Sequence, residues 1–141
     1  MEWQDEGTIL STRRFGEHDA IVSLMTFEHG RHVGLVRGGA GRRQRAELQL
    51  GTHVSCLWRA RLADHLGTFK LEVIAALRAR VIDDPLRLAA VEAICALVDD
   101  CLGERDAHPE LCAAVVSLIR RVGDHDDWLA DVPRFEIMLL T

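Results

Sequence analysis

Hydrophobic and polar positions change their spacing once along this chain. Through roughly the first 80 residues, apolar side chains alternate with polar ones at the two-residue period of β-strands; beyond that they recur at helical spacing. Residues 8–15 are rich in β-branched side chains and end at Gly16. Residues 20–27 run into Glu28-His29-Gly30, a hairpin-type turn with glycine where a positive φ is needed. The chain returns over residues 32–37, and a polar, glycine-rich loop follows at 38–45. Residues 50–62 predict a fourth strand, with Val54, Cys56 and Trp58 alternating against His53, Ser55, Leu57 and Arg59; residues 67–74 predict a fifth. Five short strands divided by turn signals predict a small barrel, closed or partly open.

The helical part opens at Asp83-Asp84-Pro85, an acidic cap followed by proline at the first helical position. Leu88, Val91, Ile94, Cys95, Val98, Cys101 and Leu102 form its apolar face, and Gly103 is expected as the C′ residue that follows its end. A second helix starts at His108-Pro109-Glu110, carries Leu111, Cys112, Val115, Leu118, Ile119 and Val122, and is expected to stop at Gly123. A third segment begins over residues 124–127 and runs into the apolar stretch 135–140 before Thr141, with neither a cap nor a polar tail. An apolar helix end of that kind leaves a face to bury, so the helical unit is expected to be cut short here. The expected division is a nucleic-acid-binding barrel over residues 1–80 and a partial α-helical domain over 81–141.

Composition narrows the class. With 141 residues, 48% hydrophobic and 28% charged, the chain has the balance of a globular protein and not of a disordered one. No apolar run approaches membrane-spanning length, and the first six residues lack the basic and apolar regions of a secretory signal, so a cytoplasmic location is expected. The net charge of −5 taken whole argues against a nucleic-acid partner. Position reverses that impression. Residues 1–80 hold 12 Lys/Arg against 9 Asp/Glu, a net of +3, while residues 81–141 hold 5 against 13, a net of −8. Residues 31–61 alone carry seven arginines and one acid, Glu47. A basic block beside an acidic one predicts two units with different partners.

Candidate chemistry is sparse elsewhere. Cys56, Cys95, Cys101 and Cys112 stand 39, 6 and 11 residues apart, which fits no zinc ribbon or finger; they are read as reduced thiols, the last three on apolar helical faces. The neighbours His18-Asp19, Asp64-His65 and His125-Asp126-Asp127 could serve a metal-dependent hydrolase, yet each falls in a connection, where polar residues are the background. Gly38-Gly39-Ala40-Gly41 lacks the Lys-Ser/Thr of a phosphate-binding loop, because Arg42, Arg43 and Arg45 follow. The expectation is therefore a non-enzymatic protein that needs no ATP and no cofactor. The stronger signal is an arginine-bearing loop on a small barrel of the oligonucleotide-binding kind, since guanidinium groups pair bidentately with phosphates. Phe15, Phe27, Trp58 and Phe69 are the candidates for stacking on bases, most of them expected in the core, so phosphate charge should dominate. Two rivals stand beside this reading: a barrel that docks proteins through its arginine loop, and the hydrolase.

Specific residues also carry a resemblance. The run from Gly16 through Glu17, His18, Asp19 and Thr26 to Gly30, followed by Val33-Gly-Leu-Val-Arg-Gly38, resembles the N-terminal domain of the bacterial RecO family of DNA repair proteins. Glu6 to Leu10, Leu66-Gly-Thr68, the Pro109-Glu-Leu helix start and residues 134–140 are similar to other parts of the same family, so the resemblance covers essentially the whole chain. It implies an oligonucleotide/oligosaccharide-binding (OB) barrel followed by a helical domain. It further implies a recombination mediator that binds single- and double-stranded DNA, anneals strands and assists recombinase loading, with a RecR-type partner. Single-strand binding protein would be a second partner, though its helical docking surface is expected to be incomplete here, as is the zinc-binding cysteine cluster many members carry. By position, DNA contact is expected at Arg31, Arg37, Arg42, Arg43 and Arg45, with Arg13, Arg14, Arg59 and Arg61 as further candidates.

Overall fold

In the computed structural model residues 1–140 are described, the side chains of Arg43, Arg78 and Ala79 lying outside the described residues. Five strands make the barrel: β1 (Glu2–Phe15), β2 (Asp19–Thr26), β3 (Gly30–Val36), β4 (His53–Arg59) and β5 (Thr68–Ala75), closed in the order β1-β2-β3-β5-β4. The five-stranded barrel is thus as expected, but β1 starts at Glu2, six residues before the β-branched run. That extension is what permits closure. The first half of β1 pairs antiparallel with β4 and the second half with β2, the two ladders overlapping at Gly7 and Thr8. A side chain at Gly7 would place its Cβ 2.6 Å from the Met25 carbonyl oxygen, so glycine lets the strands approach where β1 changes partner. β3 and β5 meet in parallel through one pair, Leu35 and Thr68.

Ile9, Val22, Leu24, Val36, Val54, Cys56, Trp58 and Phe69 fill the barrel. Their alternation with outward residues is the two-residue period seen in the sequence. Leu48 joins this core just after a short helix, α1 (Arg42–Glu47), which occupies part of the stretch expected to be loop. Arginine and glutamine are good helix formers. With Leu48 buried beneath them, one turn and a half of helix forms despite the glycines before it.

Beyond a 3-10 turn at Leu77–Val81 come α2 (Pro85–Cys101), α3 (Pro109–Asp124), a second 3-10 turn at Trp128–Ala130 and α4 (Asp131–Leu140). Asp84 caps α2 by accepting from the Arg87 amide at 3.2 Å, with Pro85 at the first position. Gly103 stands at C′, directly after the Leu102 cap of α2, though without a positive φ, whereas Gly123, expected to end α3, lies inside it. Cys101 is exposed, so it stands off the apolar face assigned to it, while Cys95 and Cys112 are buried. The second core takes Val91, Ile94, Val98, Val115 and Ile119 from α2 and α3, together with Leu10 and Met25 from β1 and β2. The helices therefore pack directly on the outer face of β1 and β2.

Candidate nucleic-acid interface

Two backbone hydrogen bonds assemble one end of the barrel. The Gly38 amide donates to Asp19 Oδ1 at 2.9 Å, and the Ala40 amide donates to the His18 carbonyl at 3.0 Å. The β1–β2 turn and the connection from β3 to α1 are thereby joined. Arg13 and Arg14 at the end of β1, Arg37 after β3, and Arg42 and Arg45 on α1 all flank this junction, and all five are exposed. Arg42 and Arg45 stand three apart on the helix and so share a side. Arg14 and Arg45 also line one cleft of about 330 Å³, with Thr12, Leu48 and Gln49.

The surroundings hold these groups without discharging them. Arg14 donates through Nε to the Gly16 carbonyl at 3.2 Å and through Nη2 to the Glu17 carbonyl at 2.9 Å, which orients the guanidinium and leaves its charge unpaired. Arg13, Arg37, Arg42 and Arg45 make no ion pair among the described residues. Five like charges at one end repel one another, and a polyanion relieves that repulsion. Phe15 stands beside Arg14 with 52% of its surface exposed, while Trp58 and Phe69 are core residues. Any stacking platform at this end is therefore a single ring.

The remaining arginines separate from the cluster. Arg59 pairs with Glu2 at 2.7 Å, and Arg61 is exposed in the β4–β5 connection. Arg43 contributes backbone to α1, its side chain being outside the described residues. Arg31 stands in the seam between β3 and α2. Its Nε donates to the Leu102 carbonyl at 2.8 Å and its Nη1 lies 3.3 Å from Asp99 Oδ1, leaving the side chain 17% exposed. Asp99 also accepts from Ser23 Oγ at 2.6 Å. This guanidinium is mostly enclosed and already paired in the seam, unlike the exposed arginines of the rim. Position in the basic block could not reveal this, because the partner lies 68 residues downstream.

The same seam decides which barrel surface is available. OB barrels commonly present the face of strands 2 and 3 and the β1–β2 and β4–β5 loops. Here α2 meets that face at Ser23 and Arg31, both bonded to Asp99. Arg105, unnoticed in the sequence, holds the β4–β5 connection by donating to the carbonyls of Ala63 and His65. Its guanidinium lies 5.4 Å from the Trp58 ring centroid. No local spacing marks Arg105; its φ of 63° in a turn becomes visible only with the fold. The β1–β2 turn, the described side chains of Arg42 and Gln44 to Glu47 on α1, and residues 61–66 of the β4–β5 connection are exposed.

The His–Asp neighbours remain apart. His18 is solvent-exposed, Asp126 pairs with Arg87, and Asp127 pairs with Arg121. Among the described residues, no three His, Cys, Asp or Glu side chains gather in a metal-binding arrangement. No described helix is long and apolar enough to cross a membrane.

Comparison with known proteins follows the same outline. Residues 1–77 match the family described as recombination protein O N terminal, and residues 82–141 that described as recombination protein O C terminal. The chain is 43% identical to the DNA repair protein RecO of Roseobacter denitrificans over 140 residues, covering 99% of this chain and 58% of the relative. Identity is 46% to RecO of Mesorhizobium japonicum and 45% to RecO of Rhodospirillum centenum, with 55% and 56% of those relatives covered. The chain thus spans a little over half the length of these curated relatives. Matching along both its barrel and its helices, it belongs to the recombination protein O family of DNA repair proteins.

Proposed function

We propose that this chain is the DNA-contacting part of a recombination mediator. Its rim of Arg13, Arg14, Arg37, Arg42 and Arg45 binds phosphates, anneals complementary strands and assists loading of a recombinase on single-stranded DNA, without ATP hydrolysis. The observation that carries this reading is the cleft shared by Arg14 and Arg45 beside the joined β1–β2 turn and β3–α1 connection, with Arg13, Arg37 and Arg42 exposed around that junction and none of the five in an ion pair among the described residues. Annealing is slowed by repulsion between phosphate backbones, and neutralising both strands at one rim lowers it. The barrel over residues 1–80 is the nucleic-acid unit; the acidic helices over 81–141, which repel a polyanion, contact protein partners of the RecR type.

Fluorescence anisotropy with a labelled single-stranded oligonucleotide, titrated across salt, tests it. Five neutralised phosphates give a log–log salt slope of roughly −3.5. Reversing both α1 charges (R42E with R45E) should flatten that slope by about 1.4 and weaken binding at every salt concentration. Arg31→Gln should lower stability with little change in the slope. Absence of binding at about 50 mM salt, or a slope unmoved by the double reversal, overturns the proposal.

A further inference from the structure

Consecutive residues at the end of β1 point to opposite faces of the sheet. Thr12 and Arg14 stand opposite Val22 and Ala20, two residues of the barrel core, so both face the barrel side and the cleft shared with Arg45. Arg13 and Phe15 therefore lie on the outer face, opposite Ile21 and Asp19. Ile21 pairs in turn with Leu35, and Arg37 follows Val36, the partner of Ala20. Six residues thus form two short rows across three strands: Arg13, Ile21 and Leu35 in one, Phe15, Asp19 and Arg37 in the other. α2 reaches this face one row away, at Ser23. Arg13, Phe15 and Arg37 are exposed, the ring with 52% of its surface open. The turn beside it is fixed by four hydrogen bonds: two from Arg14 to the Gly16 and Glu17 carbonyls, one from the Gly38 amide to Asp19, and one from the Ala40 amide to the His18 carbonyl. Phe15 is thus an apolar ring held open to water on a fixed turn, with guanidinium groups in the same two rows. Cations that track a backbone beside an aromatic ring that takes its bases are the combination that holds single-stranded nucleic acid.

Resting on the reading of the rim as a DNA contact, we propose that Phe15 stacks on an unpaired base and makes the rim discriminate single strands from duplex. Arg13 and Arg37, in the same two rows, take the flanking phosphates. Arg13 and Phe15 are roughly 7 Å apart along the strand, near enough for one nucleotide to touch both. In a duplex each base already has a neighbour on both faces, and admitting the ring means unstacking a step. Phosphates are present in either form, so the guanidinium groups act on both. Charge thus sets how tightly the rim holds DNA of any kind, and the ring adds affinity for single strands alone.

Fluorescence anisotropy on the full 141-residue chain compares a labelled oligo-dT with a dA–dT duplex of the same length, from about 50 mM salt upward. Phe15→Ala should weaken single-strand binding roughly tenfold and leave duplex binding within about twofold. The salt slope should stay where it was, because no charge is removed. Phe15→Trp keeps a ring and should bind single strands within about threefold of the parent. An oligonucleotide made of abasic sites offers no base to stack on, and should bind the parent and Phe15→Ala alike. Because Phe15 is exposed, both variants should fold, and an unchanged thermal midpoint verifies it. A loss shared equally by single strand and duplex overturns the proposal, as does no loss at all or a Trp variant no tighter than the Ala one. In those cases salt-dependent binding persists, so the reading of the rim stands. Absence of binding by the parent to either DNA overturns both together.

Discussion

His32 lies 3% exposed among the barrel aromatics Trp3, Trp58 and Phe69, with no hydrogen-bond partner for either ring nitrogen among the described residues. Its ring stands edge-on to Trp58 at 4.8 Å and to Trp3 at 5.0 Å. An N–H directed at an indole face recovers part of a missing hydrogen bond. A second proton has no such outlet. Burial first, then the positive charges of Arg105 and His29, push the imidazole from 6.5 down to about 4. The folded state therefore holds His32 neutral while the unfolded chain takes up a proton near pH 6.5. Its contribution to stability is complete above that value and is lost as the pH falls toward 4. A gap of about 2.5 units is worth roughly 3 kcal/mol at its limit, with a slope of at most about 1.4 kcal/mol per pH unit. Nearby Asp5 acts in the same direction at stronger acidity. Burial alone would raise its carboxyl, but hydrogen bonds from His29 and the Glu28 and Glu6 amides hold it below the usual range. Urea unfolding followed by tryptophan fluorescence between about pH 7.5 and 4.5 measures the total. Comparison with His32→Leu, which cannot titrate, isolates the imidazole. The parent should lose about 2–3 kcal/mol more than the variant across that window. Parallel curves for the two proteins would refute the reasoning.

Two further outcomes can be read directly. Gly30 has a φ of 69°, and a Cβ there would lie 2.6 Å from the Asp106 amide nitrogen, whereas Gly16 at 68° has nothing within 4 Å. Gly16→Ala should thus cost about 1 kcal/mol of conformational strain and Gly30→Ala roughly 2 kcal/mol or more, since it also displaces the α2–α3 connection; equal shifts in thermal midpoint would contradict this. Burial pushes the Cys56 and Cys112 thiols up to about 12, while Cys101 is exposed. Native protein treated with iodoacetamide near pH 8 should therefore gain one adduct quickly, seen by intact mass, and two adducts at comparable rates would count against it.

Much of the barrel could be read from the chain because strand alternation is a local property. Val54, Cys56 and Trp58 face inward wherever the strand goes, since its neighbours supply the only dry side. Asp84-Pro85 started a helix for a similar reason: capping uses groups three residues apart. The extended start of β1 was less visible. Gln4, Asp5 and Glu6 have no strand propensity, and they are held by the β4 ladder, about 50 residues away. α1 was hidden behind glycines because what stabilises it is Leu48 entering the barrel core.

The basic rim divides along the same line. Sequence alone concentrated the arginines in one stretch and gave that stretch a charge opposite to the helices. Charge counts carry no partners, however. Only the folded chain places Asp99 against Arg31 and Glu2 against Arg59, and joins the turn after β1 to the loop after β3, so that Arg14 and Arg45 share a cleft. Which cations remain free to meet a phosphate depends on contacts between distant segments, and those exist only once the barrel has closed and the helices have packed against it.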